Sequence, residues 1–134
     1  MSSFISISID DVRPRTGVYP DTDWLPLRDA IGVRAFGVNA WRAQRAGAEV
    51  IERHTEEDYE HEELYVVVRG RARFEIAGET VDAPAGTAVF VRDPTAERRA
   101  VAKEEGTLIL TVGAVPGQAF EPSEWEKREL SESD

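Results

Sequence analysis

The chain has no cysteine, one methionine and two histidines, His54 and His61, among 134 residues. Without thiols it has no disulfide, no thiolate nucleophile and no sulfur-ligated metal, which fits a reducing, cytoplasmic compartment. No apolar run approaches the roughly 20 residues of a membrane-spanning helix. Met1-Ser2-Ser3-Phe4 leads into alternation rather than into a charged segment followed by an apolar core, so neither export nor a membrane partner is expected. Basic charge is scarce: 16 Lys and Arg stand against 26 Asp and Glu, a net charge of -10. Nucleic-acid binding relies on clustered cations that release counterions from phosphates, and this balance argues against such a partner. Also missing are a Gly-rich phosphate loop before a helix and a glycine-flanked Ser or Thr elbow. The acidic run Glu56-Glu57-Asp58 reads as a solvated loop.

What is present is enough chain for one domain over residues 1–134, with 41% apolar content to form its core. Phe4-Ile5-Ser6-Ile7-Ser8-Ile9 alternates as a half-buried strand before Asp10, Asp11 and Pro14. Within Pro20 to Gly32, Asp23 can cap a short helix that contains Trp24, Leu25, Leu27 and Ile31 and ends at Gly32. Strands follow over Val33 to Gln44 and around Glu49-Val50-Ile51-Glu52, then a polar loop from His54 to Glu60. Glu63 to Arg69 and Arg71 to Ala77 read as a hairpin about Gly70. Thr87 to Val91 is a short buried strand, and Arg99 to Ala102 pairs with Thr107 to Val112 across Lys103-Glu104-Glu105-Gly106. Ser123-Glu124-Trp125-Glu126 is a capping box opening a helix over about 123–130, with Ser131 to Asp134 frayed. The pattern predicts an all-β domain of seven to nine strands, core about 33–113, with short helices near both ends.

Glu63, six residues and Gly70, followed by Gly86 after a short spacer, resemble the motifs of the cupins. The resemblance covers the central third of the chain and implies a single antiparallel jelly-roll barrel. A typical cupin places a His-x-His pair ahead of that Glu and another His in its second motif, so that three imidazoles and a carboxylate converge on a divalent first-row metal. Here the pair falls on Glu57 and Tyr59 counting back from Glu63, or on Arg53 and Thr55 counting forward from Gly47. The spacing implies an insertion in the loop, with His54 as the nearest displaced ligand. The second motif's Pro-x-Gly falls on Arg92-Asp93-Pro94 and its His on Glu97. Taking Pro84-Ala85-Gly86 instead would put Val89 at the His position and turn an apolar strand into a loop. With two histidines in the chain, the usual three-His site is impossible.

The remaining candidates follow from parity and charge. His61 and Glu63 face the same side of a continuous strand, so His54, His61, Glu63 and Glu97 are the set available to a metal, if one is bound. Either histidine is alternatively a surface residue. Glu63, entering a buried strand, is a pocket group or half of an ion pair with Arg73 or Arg98. Tyr59, Tyr65 and Trp41 line a pocket or belong to the core, and Arg92, Arg98 and Arg99 bind a carboxylate or neutralise neighbours. The leading expectation is a metal-free or weakly metal-binding cupin-like protein that binds a small organic ligand near Glu63, His61, Tyr65, Glu97 and Arg98, its cofactor either none or a divalent first-row metal. The rivals are a metal-dependent dioxygenase or isomerase and a non-catalytic interaction module. A homodimer is expected, and Leu64, Val66 and Val68, on the face opposite Glu63, are the candidates for its interface or for packing between sheets.

Overall fold

The structure, a computed structural model, describes residues 2–131. Among these residues, ten strands form two antiparallel sheets. They are β1 (Arg15–Tyr19), β2 (Thr22–Leu25), β3 (Gly37–Ala43), β4 (Glu49–His54), β5 (Glu62–Arg69), β6 (Arg71–Ile76), β7 (Glu79–Pro84), β8 (Ala88–Val91), β9 (Arg98–Ala102) and β10 (Leu108–Ala114). Helices α1 (Leu27–Ile31) and α2 (Glu124–Ser131) accompany them. One sheet runs β1-β2-β3-β10-β5-β8 and the other β4-β9-β6-β7. Hydrogen bonding therefore closes two facing sheets rather than the one continuous barrel expected from the sequence. No helix among the described residues is long and apolar enough to cross a membrane.

Period-two alternation sorts each strand between an inner and an outer face. Tyr65, Val67, Phe74, Ala100 and Ile109 meet between the sheets, where Val67, Phe74 and Ile109 are wholly excluded from water. Burying a side chain of this size contributes about 1.5–3 kcal/mol. A second apolar cluster lies on the outer face of the larger sheet, where α1 brings Leu27 to Val38, Ala40 and Leu108. Leu64, Val66 and Val68 face outward as parity requires, and Val68 and Phe90 of the neighbouring strand remain exposed.

Four local expectations are corrected. Phe4 to Ser8 is not a strand: the chain turns at Ile9–Asp11, Val12 enters the outer cluster, and Phe4, Ile5 and Ile7 remain exposed. Alternation permits pairing but supplies no partner edge. The first helix begins only after Pro26, because a residue preceding proline is pushed to extended backbone. Trp24 and Leu25 therefore belong to β2, and Asp23 binds Arg42 and Gln44 instead of capping. Strands β5 and β6 are not a hairpin. The chain changes sheets at Gly70 (φ +80°), and the hairpin is β6–β7, turning through Ala77 and Gly78, both at positive φ. Likewise β9 pairs with β4 and β6 while β10 pairs with β3 and β5, so the turn over 103–106 crosses between sheets.

At the C-terminal end, Ser123 Oγ accepts the Glu126 backbone N–H at 3.0 Å, as a capping box requires. The reciprocal bond is absent because the Glu126 carboxylate turns to Arg28 Nη2 at 2.5 Å and docks α2 on α1. Of the expected frayed end, Ser131 closes α2, and 132–134 lie outside the described residues.

Candidate functional site

A cavity of about 290 Å³ opens at one end of the space between the sheets. The larger sheet gives it Asn39 and Trp41 from β3, Thr111 from β10, and Glu63 and Tyr65 from β5, all on inward positions by alternation. Gly37 and Gly113 face each other across β3 and β10 at the same level. A Cβ on Gly37 would stand 3.2 Å from the Phe120 ring, so the missing side chain is what lets Phe120 close over the sheet. Tyr19 of β1 and Trp125 of α2 complete one aromatic wall with Trp41: the Tyr19 ring lies 5.5 Å from Trp41 and 6.1 Å from Trp125. Tyr59 and Phe120 flank His61 on the other side, at 5.9 and 6.0 Å.

His54 reaches the cavity through a bulge. Ile51 of β4 pairs with Ala100 and His54 with Arg98, so three steps along β4 match two along β9. The extra residue reverses the parity after Ile51 and turns His54 inward where unbroken alternation would have turned Arg53. The same register explains Glu97. Arg98 takes the inward position at the start of β9, so Glu97 points outward to an exposed pair with Arg53 at 2.6 Å and does not line the cavity.

His54, Glu56, His61 and Glu63 form the polar floor. His54 Nε2 lies 3.1 Å from Glu56 Oε2 and 3.5 Å from Glu63 Oε1, and His61 Nδ1 lies 3.4 Å from Glu56 Oε1. His54 Nδ1 donates to the Glu52 carbonyl at 2.6 Å. A neutral ring protonated there would aim its lone pair at two carboxylates, so the geometry favours the imidazolium. Burial opposes that charge, but the hydrogen bonds to Glu56, then Glu63, raise the pKa of His54 from 6.5 to about 10. For Glu56, burial raises the value, yet the hydrogen bonds from His54 and His61 prevail and bring it from 4.5 to about 2.

Behind the floor lies Arg98, with no exposed surface. It donates to Glu63 Oε1 at 2.8 Å, to the Ala96 carbonyl at 2.8 Å and to the Asp93 carbonyl at 3.1 Å. The Tyr65 hydroxyl donates to the same Glu63 oxygen. Burial first, and then the Glu63 charge, push the Tyr65 phenol well above its ordinary value, so it stays a donor. Of the two partners considered for Glu63, Arg98 is the one that meets it, while Arg73 is exposed. Arg99 pairs with Glu49 and Glu75 outside the smaller sheet, and Arg92 lies over the Phe90 ring, so neither lines the cavity.

These bonds carry a pH signature whose sign is fixed by the direction of each shift. The raised imidazole stabilises the fold fully below its unfolded value near 6.5, and that contribution is lost as pH rises through about 10. The lowered Glu56 contributes fully above its unfolded value near 4.5 and loses its part as pH falls through about 2. The stability gap between wild type and His54→Gln should therefore narrow as pH rises above 6.5. An NMR titration of the His54 ring should show a midpoint far above that value, and a midpoint near it would refute the assignment.

Among the cavity groups that the sequence reading did not single out are Tyr19, Asn39, Glu52, Glu56, Thr111, Phe120 and Trp125. Asn39 and Thr111 share the parity of Trp41 and Ile109 and were accessible from alternation. Trp125 was visible only as part of a capped helix, and nothing in the run Glu56-Glu57-Asp58 distinguishes the first carboxylate.

A metal of the cupin type does not fit these residues. Only two imidazoles exist, and the Arg98 guanidinium holds a fixed positive charge 2.8 Å from Glu63 Oε1. His54, Glu56 and Glu63 nonetheless bring one donor atom each within 4.8 Å of one another.

No family model and no curated protein matches the sequence. Solved structures do. KdgF from Halomonas sp. matches with a TM-score of 0.66 at 18% identity, covering 84% of this chain and 90% of that one. A cupin protein from Bacteroides fragilis matches at 0.65 and 19%, over 92% and 93% of the two chains. A sugar phosphate isomerase from the cupin superfamily of Silicibacter pomeroyi matches at 0.66 and 21%, over 81% and 74%. Identities this low carry architecture rather than chemistry, and on that ground the chain has the cupin fold.

Proposed function

We propose that the chain is a cytoplasmic protein that binds a small organic molecule in the cavity between its sheets, without a resident metal. The observation that carries this reading is the combination of an aromatic-walled cavity of about 290 Å³ with a hydrogen-bonded floor of His54, Glu56, His61 and Glu63. Apolar walls around a few convergent polar groups are the usual composition of a small-molecule site. The floor is already charge-compensated, since Arg98 backs Glu63 and the His54 imidazolium lies between two carboxylates. A ligand therefore exchanges hydrogen bonds with the floor rather than filling an empty coordination sphere. The absence of cysteine suits a reducing compartment, and the exposed Val68 and Phe90 on the outer sheet face suit pairing with a second copy.

A second reading places a divalent cation on His54, Glu56 and Glu63, favoured by the 4.8 Å spread of their donor atoms. It requires His54 to give up a proton that two carboxylates hold in place. Elemental analysis of protein purified without an affinity tag or chelator, wild type beside His54→Ala, decides between them. A near-stoichiometric metal lost in the variant would establish the second reading, and its absence from the wild type would retire it. For the first reading, a thermal-shift screen against a library of neutral, anionic and cationic metabolites should give at least one ligand that raises the wild-type midpoint and has less effect on His61→Ala. A library that shifts neither protein would sink it.

A further inference from the structure

The walls and floor of the cavity differ in electrical character from a site for an acid. Among the described residues no Lys or Arg side chain lines it. Arg98 and Arg28, beside the cavity, are engaged by Glu63 and Glu126, themselves lining residues. An incoming carboxylate or phosphate would face Glu52, Glu56, Glu63 and Glu126 with only imidazoles to receive it. Taking His54 as charged, Arg28, Arg98 and His54 offset three of those four carboxylates. Glu52, exposed at the rim, makes no ion pair among the described residues. The Tyr19 phenol reports the same field: burial first, then the charges of Glu52, Glu129 and Glu56, push it up to about 12.

The aromatic rings supply the other half of the argument. Tyr19, Trp41 and Trp125 are grouped on one side, and Tyr59 and Phe120 flank His61 on the other. Ring faces carry negative quadrupole potential and attract cations, most strongly where water is excluded. Apolar ligands gain from such walls too, and neutral hydrogen-bond donors gain from a carboxylate, but a cation is attracted both by the ring faces and by the uncompensated charge.

We propose that the occupant of the cavity is a small organic cation of the substituted-ammonium class, its charged end between the aromatic walls and facing Glu52 and the floor carboxylates. This rests on the reading of the cavity as a ligand site. The test is titration calorimetry of the full chain with three probes: choline, choline's uncharged carbon isostere in which a tert-butyl group replaces trimethylammonium, and galacturonate. Choline should bind at least about tenfold more tightly than the isostere, its affinity should fall severalfold in Glu52→Gln and on raising salt, and galacturonate should give no heat. Equal binding of choline and its isostere, or binding of galacturonate alone, would overturn the cation assignment while leaving the cavity a ligand site. No binding of any probe by a protein that responds in the library screen would also overturn the assignment alone. Silence in both experiments would remove the underlying reading as well.

Discussion

Replacing Arg98 by methionine is expected to lower unfolding stability by about 3–5 kcal/mol, the usual cost of removing one partner from a buried ion pair. The side chain has no exposed surface, and three of its bonds end on Glu63, Ala96 and Asp93. Methionine fills much of the volume but leaves the Glu63 carboxylate, only 15% exposed, without its fixed cation. Two carbonyls also lose their donor. The pair itself contributes much less than this loss, because desolvating two charges costs nearly what their attraction returns. The double variant Glu63→Leu, Arg98→Met should therefore recover a substantial part of the stability lost by Arg98→Met alone. Urea denaturation of the four proteins of this cycle measures the difference. A double variant less stable than the single one would mean that Glu63 is held by its other partners, Tyr65 and His54, and not by the guanidinium.

Gly70→Ala should be comparably damaging, by about 2–5 kcal/mol, for an unrelated reason. Gly70 carries the chain from the larger sheet to the smaller with φ at +80°. A Cβ there would stand 2.4 Å from Thr107 Oγ1 and 2.8 Å from Thr107 Cα. The left-handed backbone costs an L-residue about 1–2 kcal/mol, and forcing atoms into a packed site adds about 1–3 kcal/mol. Relief by moving Thr107 is blocked, since its buried hydroxyl is held by the Arg71 and Glu104 carbonyls. Gly78 is the internal control: its φ is +83°, yet nothing lies within 4 Å of an added Cβ. Gly78→Ala should show only the backbone cost of about 1–2 kcal/mol. Equal losses at the two glycines, measured by the same denaturation, would remove the contact with Thr107 from the explanation.

Gly70 also illustrates what the sequence makes legible. A glycine between two strand patterns announces a turn at positive φ, and that turn is present. Whether the flanking strands pair with each other is a separate question, answered by which edges their apolar faces find. Both the tight turn at Gly70 and the one over 103–106 join strands of opposite sheets, so local turn chemistry misled the pairing twice. Phe4 to Ile9 erred the other way, with a good strand pattern and no edge to receive it.

At the site, alternation carried the inward placement of Glu63 and Tyr65, because β5 is unbroken over the stretch that holds them. His54 could not be placed this way, since the bulge against β9 reverses parity between Ile51 and His54. Glu97 and Arg98 are adjacent, and only the register of β9 determines which of them faces inward.

From the sequence alone, then, come the all-β class, the apolar faces, the impossibility of a three-imidazole metal site and the prominence of Glu63. Each is a property of composition or of period-two patterning within one strand, and neither depends on a distant partner. Tertiary structure decided the exchange of strands between sheets, the substitution of Glu56 for Glu97 beside the histidines, and the closing of the cavity by Phe120 and Trp125. Those outcomes depend on a single extra residue in β4 and on contacts between segments far apart in the chain, which local periodicity does not encode.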